Sequence, residues 1–190
     1  MGLFDNILNA AADAVSKEVT PVDKQVKTVE FTFSALPESL DQLKALPEAD
    51  MSTPYKTAAL TVCALCAYAA NKQIGMDMLN FLKGPQPLST YEIQFLDGRY
   101  RDIGTYVPFS YFEGASVENN YAPTTPFKIK VSSNPYSFTN EGYAVLYITS
   151  AGADSPREIK LRRKGDGQWC LWEQMLLVGI RTPKANDPWA

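Results

Sequence analysis

Hydrophobic and polar positions follow one rhythm in the first half of the chain and another in the last third. Residues 3–18 place Leu3, Phe4, Ile7, Leu8, Ala11, Ala14 and Val15 at helical spacing, with Asp5, Asn6, Asn9, Asp13 and Lys17 on the other side. Thr20-Pro21 ends that helix, and residues 19–25 are polar and read as a linker. Residues 26–33 alternate strictly. Val29, Phe31 and Phe33 face one way and Thr28, Glu30 and Thr32 the other, which predicts a half-buried strand. A short helix follows, with Pro37 near its first turn, Leu40, Leu43 and Leu46 on one face, and Pro47 as its stop.

Thr53-Pro54 opens the next helix with an N-cap residue and a first-turn proline. It runs to about Asn71 and is apolar nearly all round, the mark of a helix at the centre of a domain. Residues 74–83 give another helix, stopped by Gly84-Pro85. Ser89 with Glu92 three residues on is a capping box for a further helix ending near Gly98. Residues 99–126 lose regular pattern but hold six Tyr and Phe side chains. They predict an ordered aromatic loop with one helical turn near residues 110–114.

From there the period is two. Residues 127–131, 142–149, 157–164 and 168–174 read as strands, and Gly165-Asp166-Gly167 joins the last pair as an antiparallel hairpin. Helices followed by antiparallel strands make an α+β domain, helices packed on one face of a curved antiparallel sheet. The closing hairpin resembles that of nuclear-transport-factor-2-like domains, and an NTF2-like or cystatin-like layout is the expectation, an analogy of fold that fixes no function. The expected division is a detachable amphipathic helix at 1–20 and a single α+β domain at 26–190.

Composition narrows the chemistry. The 190 residues are 45% hydrophobic and 21% charged, as expected of a globular domain. The net charge of −3 argues against a nucleic-acid partner. There is no histidine, which removes the commonest general base and metal ligand and every Ser-His or Cys-His nucleophile. No phosphate loop or nucleophile elbow is present. No catalytic residue, metal site or cofactor is expected.

The longest uncharged stretch, residues 57–70, is 14 long, against the roughly 20 apolar residues a membrane span needs. No transmembrane segment and no secretory leader are expected. Three cysteines, an odd number, fit a reducing compartment. Cys63 and Cys66 have redox spacing, but they fall well inside an apolar helix and read as core. Lys160, Arg162, Arg163 and Lys164 read as a solvated strand face, and residues 97–102 as an ion-pair network in a turn.

Several blocks together resemble an uncharacterised family of bacterial proteins, a domain of unknown function. They are FTFSALPESLDQLKALPEA (31–49), TPYKTAALTVCALCAYAANK (53–72), MLNFLKGPQPLS (78–89), DSPREIKLRRK (154–164) and QWCLWEQMLL, ending in KANDPWA. The likeness spans residues 26–190. It implies a bacterial, cytoplasmic origin and no activity, cofactor or catalytic residue.

Two places are candidates for function. Tyr106, Tyr111, Phe112 and Tyr121 of the aromatic loop are the candidate ligand-binding residues, since loops on a rigid scaffold carry function and pockets are largely apolar. Leu3, Phe4, Ile7 and Leu8 are the candidate interaction surface, for self-association or a protein partner. The leading expectation is a non-enzymatic binding or protein-interaction module. The alternative is a small-ligand protein or enzyme using Tyr, carboxylate or Lys groups in a cavity between helices and sheet.

Overall fold

A computed structural model describes residues 26–189, so the expected helix at 3–18 lies outside the described residues. The elements are β1 (Thr28–Phe33), α1 (Leu40–Lys44), α2 (Pro54–Ala70), α3 (Lys72–Lys83), α4 (Thr90–Ile103), β2 (Phe127–Ser132), β3 (Tyr143–Ile148), β4 (Arg157–Arg163) and β5 (Trp169–Gln174). The strands form one antiparallel sheet in chain order, β1-β2-β3-β4-β5. All four helices lie between β1 and β2 in the chain. The domain is α+β, and its sheet stays open with β1 and β5 as edges.

α2 is the centre. Thr53 caps it through its side chain, Pro54 sits in its first turn, and only Lys56, Ala69 and Ala70 along it escape burial. It packs on every strand and on α3. Its buried hydroxyls are satisfied locally: Thr61 donates to the Thr57 carbonyl at 2.8 Å, and Thr57 to the Trp169 carbonyl at 2.6 Å. Asn71 then ends α2 and starts α3, its Oδ1 accepting from the amides of Gln73 and Ile74. The strands turn Phe31, Phe33, Ile129, Val131, Ala144, Leu146, Ile148, Ile159, Leu161 and Leu171 into the same core.

Two expected boundaries move. α4 does not end near Gly98 but continues to Ile103, and Gly104, at φ 97°, is the stop. Its last turns are held by tertiary contacts: the Tyr100 ring stacks on Tyr68 at 5.2 Å, and its hydroxyl donates to the Leu65 carbonyl at 2.7 Å. Residues 97–102 are therefore helical, not a turn. The helical turn in the aromatic loop is a 3-10 segment at Val107–Tyr111, earlier than 110–114, with Pro108 at its start. A proline at that position gives up an amide that has no partner in any case.

Cys63, Cys66 and Cys170 are free thiols, all buried. Burial pushes the Cys63 and Cys66 thiols far above their ordinary value, so thiolate is scarce. Both should react slowly with a thiol reagent in the native protein and rapidly once it is unfolded. Replacing each by Ala should cost about 1 kcal/mol, on the scale of small core truncations. Fast native labelling of either thiol would contradict this packing.

Candidate functional site

The aromatic loop forms part of the core. Tyr111 is 4% exposed and donates its hydroxyl to the Leu176 carbonyl at 2.5 Å. Tyr121, 1% exposed, donates to the Arg181 carbonyl at 2.9 Å, and its ring stacks on half-buried Tyr106 at 5.5 Å. Phe112 meets Phe127 edge-on at 5.7 Å. The structure thus brings Tyr106 and Tyr121 together, sets Tyr111 and Phe112 in the packing beside them, and commits the Tyr111 and Tyr121 hydroxyls to backbone carbonyls. These bonds fix the segments after β5 and after the 3-10 turn. Replacing Tyr111 or Tyr121 by Phe should lower stability by about 1 kcal/mol each, since each change orphans a carbonyl. Chemical denaturation measures it; a loss of under about 0.3 kcal/mol in both would argue that the hydroxyls are not structural.

A groove lies elsewhere, between α3, α4 and the end of β5, with a volume of about 490 Å³. That is within the range of small-molecule pockets, roughly 300–1,000 Å³. Leu65, Leu79, Leu88, Leu96 and Leu171 make its apolar wall. Tyr91, 77% exposed, and Met175, 53% exposed, stand at its mouth. They are two of the five large hydrophobic side chains that the described surface leaves exposed, and apolar side chains clustered at one place mark contact sites.

The polar centre of the groove is Lys83. It closes the last turn of α3, with its side chain 7% exposed, and its ammonium meets Glu92 at 2.6 Å. Glu92 is the third residue of α4, and its other oxygen accepts from the Ser89 amide and hydroxyl at 2.8 and 2.7 Å. Burial raises the Glu92 carboxyl, but the bonds from Lys83 and Ser89 outweigh it and hold the group below its ordinary value. A β-bulge supplies the other partner of Lys83. Leu171 opposes Leu161 and Glu173 opposes Lys160, so Trp172 is the extra residue, and its carbonyl accepts from Lys83 at 3.4 Å.

The sequence marked Glu92 as a cap and Lys83 as the end of a helix. Neither signal said that the two meet across the Gly84–Leu88 connection. A lysine ending a helix amid apolar neighbours, nine residues before a capping glutamate, was the available hint.

Three of the four basic residues in the 160–164 cluster have partners. Lys160 pairs with Glu173 at 2.9 Å and Lys164 with Asp166 at 2.7 Å. Arg162 lies over the rings of Trp172 and Tyr143 at 4.7 and 5.5 Å. Among the described residues, no three His, Cys, Asp or Glu side chains cluster as metal ligands would, and no helix is long and apolar enough to cross a membrane.

The family described as Domain of unknown function (DUF6935) matches residues 35–184. The chain belongs to that family. The match takes in all four helices, β2–β5 and the whole groove, while β1, which completes the sheet, precedes it. No activity is known for the family. No curated protein and no solved structure matches the chain.

Proposed function

We propose that this DUF6935 domain is a non-enzymatic binding module that receives an apolar ligand or side chains of a protein partner in the α3–α4–β5 groove. The observation that carries the reading is the exposure of Tyr91 and Met175 at the mouth of a leucine-walled groove. The alternative, a small-ligand protein or enzyme acting through Tyr, carboxylate or Lys groups, would draw on Tyr91, Glu173, Lys83 and Glu92 of the lining. Lys83 and Glu92 already hold each other and help join α3 to α4, which favours binding over chemistry. The buried free thiols fit a reducing compartment, and a bacterial cytoplasm is the proposed setting.

The test is a titration of the full chain with the fluorescent dye anilinonaphthalene sulfonate, an apolar anion. One saturable site is expected, weakened about tenfold, or roughly 1.4 kcal/mol, by Met175→Glu. Met175 is exposed, so the variant should fold as the parent does. Dye binding that is unaltered by Met175→Glu and by Tyr91→Ala would place the apolar site elsewhere and overturn the reading.

A further inference from the structure

We infer that the groove selects a small uncharged molecule, an aliphatic body carrying one hydrogen-bond acceptor such as a ketone or ester carbonyl, and that this acceptor docks on the ammonium of Lys83. This choice of guest rests on the groove as the binding site.

Size favours a small molecule over a protein surface. A stable protein interface buries about 800 Å² on each side. Tyr91 and Met175 are the only large hydrophobic side chains of the lining that stand exposed. The leucines lie recessed around a volume of about 490 Å³, which suits an aliphatic chain.

Hydrogen-bond capacity calls for an acceptor. Each acceptor around Lys83 already has a donor. Glu92 receives Lys83 on one oxygen and the Ser89 amide and hydroxyl on the other, and the Trp172 carbonyl receives Lys83. An ammonium has three N–H groups. Lys83 directs one to Glu92 at 2.6 Å and one to Trp172 at 3.4 Å, and among the described residues the third meets no acceptor. Its side chain is only 7% exposed. A buried donor short of a partner costs free energy, which an acceptor on the guest recovers.

Charge requires that the guest be neutral. Lys83 and Glu92 neutralise each other, and Glu173 is paired with Lys160 at 2.9 Å. A guest carboxylate reaching Lys83 would lie beside Glu92, a like charge in a partly desolvated site. A guest ammonium reaching Glu92 would lie beside Lys83 and meet the same penalty. A carbonyl brings no charge and still takes the third N–H, and a bond from an ionised donor is the stronger kind.

The test uses the full chain and three probes of one chain length: 2-octanone, octanoate and octylammonium. Each competes with anilinonaphthalene sulfonate, which reads occupancy of the leucine wall while its sulfonate stays at the mouth. 2-Octanone should displace the dye at a concentration about tenfold lower than either charged probe, the effect of one bond from an ionised donor. The infrared carbonyl band of bound 2-octanone should lie at lower frequency than in hexane. Lys83→Met keeps the apolar stem and should remove that shift and weaken the ketone about tenfold.

Octanoate or octylammonium that displaces the dye as well as 2-octanone does would overturn the inference. So would an unshifted carbonyl band in the parent protein, or failure of all three probes to displace the dye. In each of these cases, dye binding that still depends on Met175 would leave the groove reading standing. Loss of that dependence would remove both.

Discussion

Glu92→Gln is expected to lower the stability of the domain by about 2–3 kcal/mol, although it alters one atom of a half-buried side chain. Gln still accepts from Ser89, so the capping box survives. What goes is the negative charge opposite Lys83, whose side chain is only 7% exposed. Removing one partner of a buried ion pair costs roughly 3–5 kcal/mol because the other charge is left uncompensated. Glu92 is 35% exposed, which lets water take part of that load and sets the expectation below the range.

Lys83→Met should cost less, about 1 kcal/mol, because it removes the buried charge and keeps an apolar stem of similar length. The double variant should recover at least half of the loss seen in Glu92→Gln. Thermal melts measure this at roughly 2–4 °C per kcal/mol for a domain of this size. A double variant as unstable as the sum of the singles would refute the account.

The same pair has a pH signature. The Glu92 carboxyl is held below its ordinary value of 4.5 in the folded state, so the unfolded chain takes up protons first as the pH falls. Its contribution is fully present above that ordinary value and is lost as the pH drops through the folded value. The gap between parent and Glu92→Gln should therefore narrow in acid, below about pH 4.5. A gap that stays constant to pH 3 would show that the loss was steric.

Gly75→Ala should destabilise by about 3 kcal/mol or more, while Gly98→Ala should stabilise by up to about 1 kcal/mol. Both glycines lie inside helices, where propensity alone favours Ala by about 0.8–1 kcal/mol. Their surroundings differ. A Cβ on Gly75 would fall 2.3 Å from the Tyr68 Cα and 2.5 Å from its amide nitrogen, where α3 folds back on α2. Those are backbone atoms of a buried helix and have nowhere to go. A Cβ on Gly98 would find its nearest neighbour, the tip of Arg101, at 3.8 Å. Denaturant titration of the two variants gives opposite signs if the contact geometry is right. A stabilised Gly75→Ala would contradict the close α2–α3 approach.

This pair of glycines separates what the sequence determines from what it leaves open. Periodicity and local chemistry determine the elements: the strict alternation of 26–33, the Thr53-Pro54 start of α2, the Ser89/Glu92 cap and the Gly-Asp-Gly hairpin are all where the pattern puts them. So is the burial of α2, because a helix apolar on all sides has no stable place but the core. These signals act over a few residues and are written directly in the chain. Tertiary contacts decided the rest. α4 passes Gly98 because Tyr100 reaches Tyr68 and the Leu65 carbonyl, contacts about thirty residues away that no local rule contains. Tyr111 and Tyr121 are packed and hydrogen-bonded because the chain after β5 returns beneath them. The groove exists because α3, α4 and a bulge in β5 converge, which places Lys83 beside Glu92 and under the Trp172 carbonyl. Local propensity is a property of the chain, whereas a cavity belongs to the space between elements, and that space is set only when they pack.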